Sequence, residues 1–158
     1  MANTQAMCTS FMGELMTATH NFGVAPIRAV TTVDTFKAAL YLTSATVNAS
    51  TTAYSASDEV SGTNYVAGGV TVTTATPPTA TNSSATAGVA FFTPSASITY
   101  TTVTLSTAFD TVLLYNSTQS NKAVSVHTFG SQTITAGTFT LTMPTNNTST
   151  ALLRLATT

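Results

Sequence analysis

Charge is what this sequence has least of. Asp, Glu, Lys and Arg make up 6% of its 158 residues, against roughly 25% in ordinary soluble domains. The four basic residues, Arg28, Lys37, Lys122 and Arg154, are scattered along the chain. Neutralising a run of phosphates needs a basic patch, so no nucleic-acid partner is expected. A formal net charge of −1 gives little self-repulsion and favours association, which suits a subunit of an assembly. A single cysteine, Cys8, excludes an intrachain disulfide framework. No stretch approaches the roughly 20 apolar residues of a membrane span, so no membrane partner is expected. Met1 to Phe11 contains no basic segment followed by an apolar run. No signal peptide is expected, and folding is expected in a cytoplasm.

What is present points to strands. Hydrophobic residues make up 43% of the chain, enough for a core in one ordinary domain. Threonine fills most of the polar remainder, and its β-branched, hydroxylated side chain fits a pleated strand with a neutral polar face. Alternation marks strands at 36–43 and 70–74, and again at 97–105, where a shift between Tyr100 and Val103 predicts a bulge. A short apolar strand is expected at 89–93. Thr111 to Tyr115 is a continuous apolar run, the mark of a buried strand. Its hairpin partner is expected at Ala123 to Phe129, across a polar loop over 116–121. Gly130 and Gly137 bracket an expected turn region, before Phe139, Leu141 and Met143 alternate with threonines. Ala151 to Leu155 closes the series. Loops are expected over 24–33, 44–68 and 77–87, with one short helical turn at 56–60.

The first segment reads differently. Met7, Phe11 and Leu15 recur at helical spacing, flanked by Cys8, Met12 and Met16. This predicts a helix over about 5–18, although Gly13 inside it costs roughly 1 kcal/mol against alanine. The expected architecture is all-β: about eight antiparallel strands in a jelly-roll-like sandwich over 24–158, preceded by an N-terminal helical arm over 1–23. Free strand edges are usually guarded by charge or proline. With so little charge, some edges are expected to be covered by other subunits.

No persuasive catalytic constellation emerges. Ser125 and His127 stand two apart on an expected strand, but nothing marks a third orienting group, an oxyanion hole or a nucleophile elbow. The adjacent carboxylates Asp58 and Glu59 would point oppositely on a strand and lack a calcium-loop pattern. No zinc spacing or phosphate-binding loop occurs, so neither metal nor cofactor is expected. Cys8 reads as a buried, inert thiol, and the Asn-x-Ser/Thr sequons at Asn48, Asn82, Asn116, Asn146 and Asn147 as chance. Tyr41, Tyr54, Tyr65, Tyr100 and Tyr115 fit either a carbohydrate-binding face or strand packing with wet hydroxyls; the absence of tryptophan favours packing.

Particular blocks carry a resemblance. They are Asp34-Thr-Phe-Lys-Ala-Ala-Leu-Tyr41, Glu59-Val-Ser-Gly62 with Tyr65-Val-Ala-Gly-Gly-Val70, and Val112-Leu-Leu-Tyr-Asn116 through Ser120-Asn-Lys-Ala-Val124. Phe129-Gly130, Gly137-Thr-Phe-Thr-Leu141 and Met143-Pro144 continue them, and Met7-Cys8, Phe11, Glu14-Leu15 and His20-Asn21-Phe22 precede them. In this order they resemble small virion structural proteins of podovirus-like tailed phages and prophages, the capsid cement or decoration proteins. The resemblance implies a non-enzymatic, jelly-roll-like protein that binds the outer shell and bridges subunits of the major capsid protein. It implies localisation to the virion, after assembly in the host bacterial cytoplasm. A homo-dimer or homo-trimer is expected. A tail-associated fibre or baseplate module, or a carbohydrate-binding host-recognition module, remains the alternative. On composition, the expected capsid-contact residues are Met7, Phe11, Met12, Leu15, Met16 and Phe22, from an adaptable methionine-rich face.

Overall fold

The computed structural model describes residues 3–8, 11, 15, 19, 20, 22, 33–81 and 88–156. Eight strands run through them: β1 (Ala6–Met7), β2 (Phe36–Leu42), β3 (Val70–Val72), β4 (Thr79–Ala80), β5 (Val89–Phe92), β6 (Ile98–Asn116), β7 (Lys122–Leu141) and β8 (Leu153–Ala156). They form two antiparallel sheets, a five-stranded one in the order β1-β7-β6-β2-β3 and a three-stranded one in the order β4-β5-β8. Phe92 and Leu153 of the smaller sheet share one buried cluster with Phe36, Val72, Leu114 and Val124 of the larger. No described helix is long and apolar enough to cross a membrane.

The all-β expectation is met, and the details correct several local readings. The N-terminal helix is not seen as an element over 5–18: Ala6 and Met7 pair with Val126 and Ser125 of β7, and only Phe11 and Leu15 among the described residues of that range are helical. A strand edge offers unpaired N–H and C=O groups, and that distant pairing outweighs a local helical period. Residues 9, 10, 12–14 and 16–18 of the expected helix lie outside the described residues, as do 24–32 and 82–87 of the expected loops. The helical turn at 56–60 is a turn, with Asp58 at φ 58°. Short β4 falls inside the expected loop over 77–87.

The larger correction concerns β6 and β7. Four expected strands fuse into two, of 19 and 20 residues. Gly130 and Gly137 do not turn the chain, since neither has positive φ. Instead the long hairpin absorbs its irregularities as register shifts, including the expected one between Tyr100 and Val103. Thr102 (φ 53°) and Ala136 (φ 46°) take left-handed backbone beside the Val103–Gly137 pair. Bulges of this kind raise local twist without ending a strand.

Alternation at 36–43 is the period of a half-buried strand, yet Ala38, Ala39, Leu40 and Tyr41 of β2 are all buried. The excursion over 43–69 folds back on the sheet. Val60 N donates to Leu40 O (3.0 Å), and Thr63 exchanges backbone bonds with Thr104 of β6 (3.2 and 3.1 Å). The return is tight at Gly69, where φ is +70° and an added Cβ would lie 1.7 Å from Ala38 O. Gly69→Ala is therefore expected to destabilise the fold by about 3 kcal/mol or more in urea denaturation, through backbone strain and a clash with β2. Gly130→Ala, with nothing within 4 Å of its Cβ, is expected to be neutral or slightly stabilising.

Candidate partner-contact site

The N-terminal segment is stitched into the larger sheet. Asn3 Nδ2 donates to Leu42 O (3.2 Å) and to Asp110 Oδ1 (2.9 Å), while its Oδ1 accepts from Val47 N (2.9 Å). Cys8 N donates to Val124 O (3.1 Å). Phe11 is 2% exposed and meets the His20 ring edge-on at 4.8 Å. Phe22 stacks on Phe36 at 4.3 Å. Phe11 and Phe22 thus pack into this domain, where a helical arm carrying capsid-contact residues was expected.

Four of the six expected contact residues come together. Met7, Phe11, Leu15 and Phe22 line an apolar cleft of about 80 Å³, closed on its far side by Phe91 and Leu153 of the smaller sheet. Met12 and Met16 lie outside the described residues. Phe11 belongs to the core, so its side chain serves this domain. Met7, Phe11, Leu15 and Phe22 are neighbours in the fold, and the pairing of β1 sets where Met7 sits.

A polar network lies beside this cleft. Asn116 Oδ1 accepts from Thr118 N and Gln119 N (both 3.1 Å), which fixes the amide orientation. Its Nδ2 therefore faces Asp34 Oδ2 (2.7 Å) and His20 Nδ1 (3.1 Å). Gln119 Nε2 completes the set on Asp34 Oδ1 (3.1 Å). Asn116 has no exposed surface, so its sequon is a structural amide.

The tyrosines are the feature that sequence reasoning left open. All five hydroxyls donate inward. Tyr54 and Tyr65 bond the two Glu59 oxygens (2.7 Å each), and Gly68 N adds a third donor (2.8 Å). Tyr100 donates to Ala38 O and Tyr115 to Gly68 O (2.8 Å each), and Tyr41 donates to Ser55 O. Tyr54 stacks on Tyr115 at 4.7 Å. Packing holds, but the expected wet hydroxyls are instead bonded within the protein, and the five tyrosines leave no open aromatic platform. The neighbouring carboxylates part company: Asp58 is exposed on the turn, while Glu59 anchors the tyrosines. The Tyr-x₄-Glu-x₅-Tyr spacing of Tyr54, Glu59 and Tyr65 carried no recognisable signal in the sequence.

Ser125 and His127 do meet, with Oγ and Nε2 2.9 Å apart. Ser125 is 1% exposed and stands across from Met7, so its hydroxyl has no open face toward a substrate. Burial lowers the His127 pKa from 6.5 to about 4. Among the described residues no group of three or more His, Cys, Asp or Glu could hold a metal ion.

These contacts predict stability. Deleting residues 1–23 is expected to unfold the domain or lower its Tm sharply, since Phe11, Phe22 and β1 leave with the segment. Phe11→Ala alone is expected to cost about 3–5 kcal/mol in urea denaturation. The unfolded chain protonates His127 near pH 6.5 while the folded chain resists to about pH 4. Stability is thus full above pH 6.5 and falls on acidification toward pH 4, by on the order of 2–3 kcal/mol. His127→Gln should flatten that slope in a denaturation series across pH. At the alkaline end, burial pushes Tyr41 up to about 12 and raises the other four tyrosines as well. Unfolded tyrosines ionise near pH 10, so this stability is held below pH 10 and lost as pH rises past it. Tyrosinate absorbance should therefore appear in one cooperative step with alkaline unfolding, with no earlier phase.

No protein-family model, curated protein or solved structure matches this chain.

Proposed function

We propose that this chain is a non-enzymatic structural protein of a tailed-phage virion, a capsid cement or decoration protein that binds the outer shell and bridges major capsid protein subunits. The observation that carries this reading is the uncharged far half of the β6–β7 hairpin. Residues 98–109 and 128–141 contain no Asp, Glu, Lys or Arg and no proline. The outer edge of β7 is covered at Lys122 and Ala123 by residues 52–54, and at Val124 to Val126 by β1 and Cys8. Beyond Val126 no described strand pairs with that edge. Its bulges guard it in part, but charge and proline do not. A shell subunit that caps such an edge, in many copies, turns modest contacts into firm attachment.

The resemblance fits this reading in a particular way. Glu59, Gly62, Tyr65, Gly68, Gly69 and Tyr115 all fall in its blocks, and together they pin the excursion to the sheet. Those blocks encode a fold. The jelly-roll-like sandwich belongs to this proposal too, supported by two antiparallel sheets that share a core. Assembly as a homo-dimer or homo-trimer completes it.

Copy number per particle tests it, by quantitative mass spectrometry of purified virions against the major capsid protein. A ratio near one, or a simple fraction of it, is the expected result. A ratio far below that moves the protein to the tail. Thr133→Lys, on the exposed hairpin, is expected to weaken shell binding while leaving the fold intact.

A further inference from the structure

With every tyrosine hydroxyl turned inward, the tyrosines offer no ligand site. The connection from β5 to β6 and the segment after β7 enclose a cleft of about 370 Å³, within the range of small-molecule sites. Pro94, Met143 and Pro144 give it apolar walls; Thr76, Ser97 and Asn146 give it polar groups; no charged residue lines it. Its frame is held by hydrogen bonds. Thr93 Oγ1 accepts from Leu152 N (3.0 Å). Ser95 Oγ accepts from Ala75 N (3.1 Å) and donates to Thr73 O (3.2 Å). Asn147 Oδ1 accepts from Ser149 N and Thr150 N (2.8 Å each), fixing the loop beside Asn146.

Asn146 breaks this pattern. Its Oδ1 is buried and has no hydrogen-bond partner among the described residues. An unsatisfied buried acceptor costs roughly 1–3 kcal/mol. The χ2 torsion of asparagine is soft; a ligand that rotates it would bring the carboxamide of this lining residue to the cleft, where it offers a donor and an acceptor together.

The lining selects the ligand. With no charge to meet, the ligand is neutral. Hydroxyls and a carboxamide call for several hydroxyl groups, and the proline and methionine walls call for a C–H face. We propose that this cleft binds one neutral hexopyranose unit of a glycan, with Asn146 as its principal hydrogen-bonding residue. The proposal stands independently of the virion assignment, since copy number and sugar binding are read separately.

The test is amide chemical-shift mapping of the isotope-labelled full chain. It is titrated with the methyl glycosides of glucose, galactose, mannose and N-acetylglucosamine, and in parallel with sorbitol and methyl glucuronide. At least one neutral glycoside is expected to give saturable shifts centred on 93–97 and 143–146. Asn146→Ala should weaken that binding about tenfold, the loss equivalent to roughly 1.4 kcal/mol. Ser97→Trp, which fills the cleft from an exposed position, should abolish it, and decides alone should Asn146→Ala lose its fold. The proposal is overturned by an absence of saturable shifts with all four glycosides, or by shifts centred elsewhere. Sorbitol or glucuronide binding as tightly as the neutral rings also overturns it, as does unchanged binding in a folded Asn146→Ala.

Discussion

Glu59 accepts three hydrogen bonds at once, from Tyr54, Tyr65 and Gly68, and the long excursion over 43–69 is organised around it. A chain of that length has no regular ladder of its own to satisfy its backbone. The tyrosines solve this by reaching from the excursion and the sheet into shared acceptors: Tyr65 to Glu59, Tyr115 to Gly68 O, Tyr100 to Ala38 O. Hydrogen bonds to a carboxylate are stronger than neutral ones, and a network that is fully satisfied fixes a single arrangement. The glycines finish the closure, because Gly69 and Gly62 let backbone approach backbone where a side chain would collide.

Once the excursion is held, both faces of β2 and of the Thr111–Asn116 half of β6 are buried. The excursion covers one face; the N-terminal segment and the smaller sheet cover the other. That second cover depends on contacts across the whole length of the chain, Asn3 with Asp110, Ala6 with Val126, His20 with Asn116. The segment that looked like a detachable arm is part of the wall of the core. Its removal and the loss of a partner contact are therefore different events.

The outside of the molecule follows from the same economy of charge. Among the described residues, most ionisable groups sit at turns, near strand ends or within networks, and the far half of the long hairpin, 98–109 and 128–141, is left without Asp, Glu, Lys or Arg. Such a surface neither repels a copy of itself nor attracts polyanions. It suits repeated, modest contacts in an ordered assembly.

The sequence by itself determined the class of fold, the loops at proline, the hairpin across 116–121 and the bulge after Tyr100, because strand alternation and turn chemistry are local properties. It also marked Met7, Phe11, Leu15 and Phe22 as an apolar set. Only the tertiary structure decided that Ala6 and Met7 are strand, that Gly130 and Gly137 lie within one strand, and that His20 meets Asn116. Each of those depends on which distant backbone or side chain supplies a partner. Hydrogen-bond pairing between residues far apart in the chain leaves no local periodicity, so its outcome is legible only once the sheet is assembled.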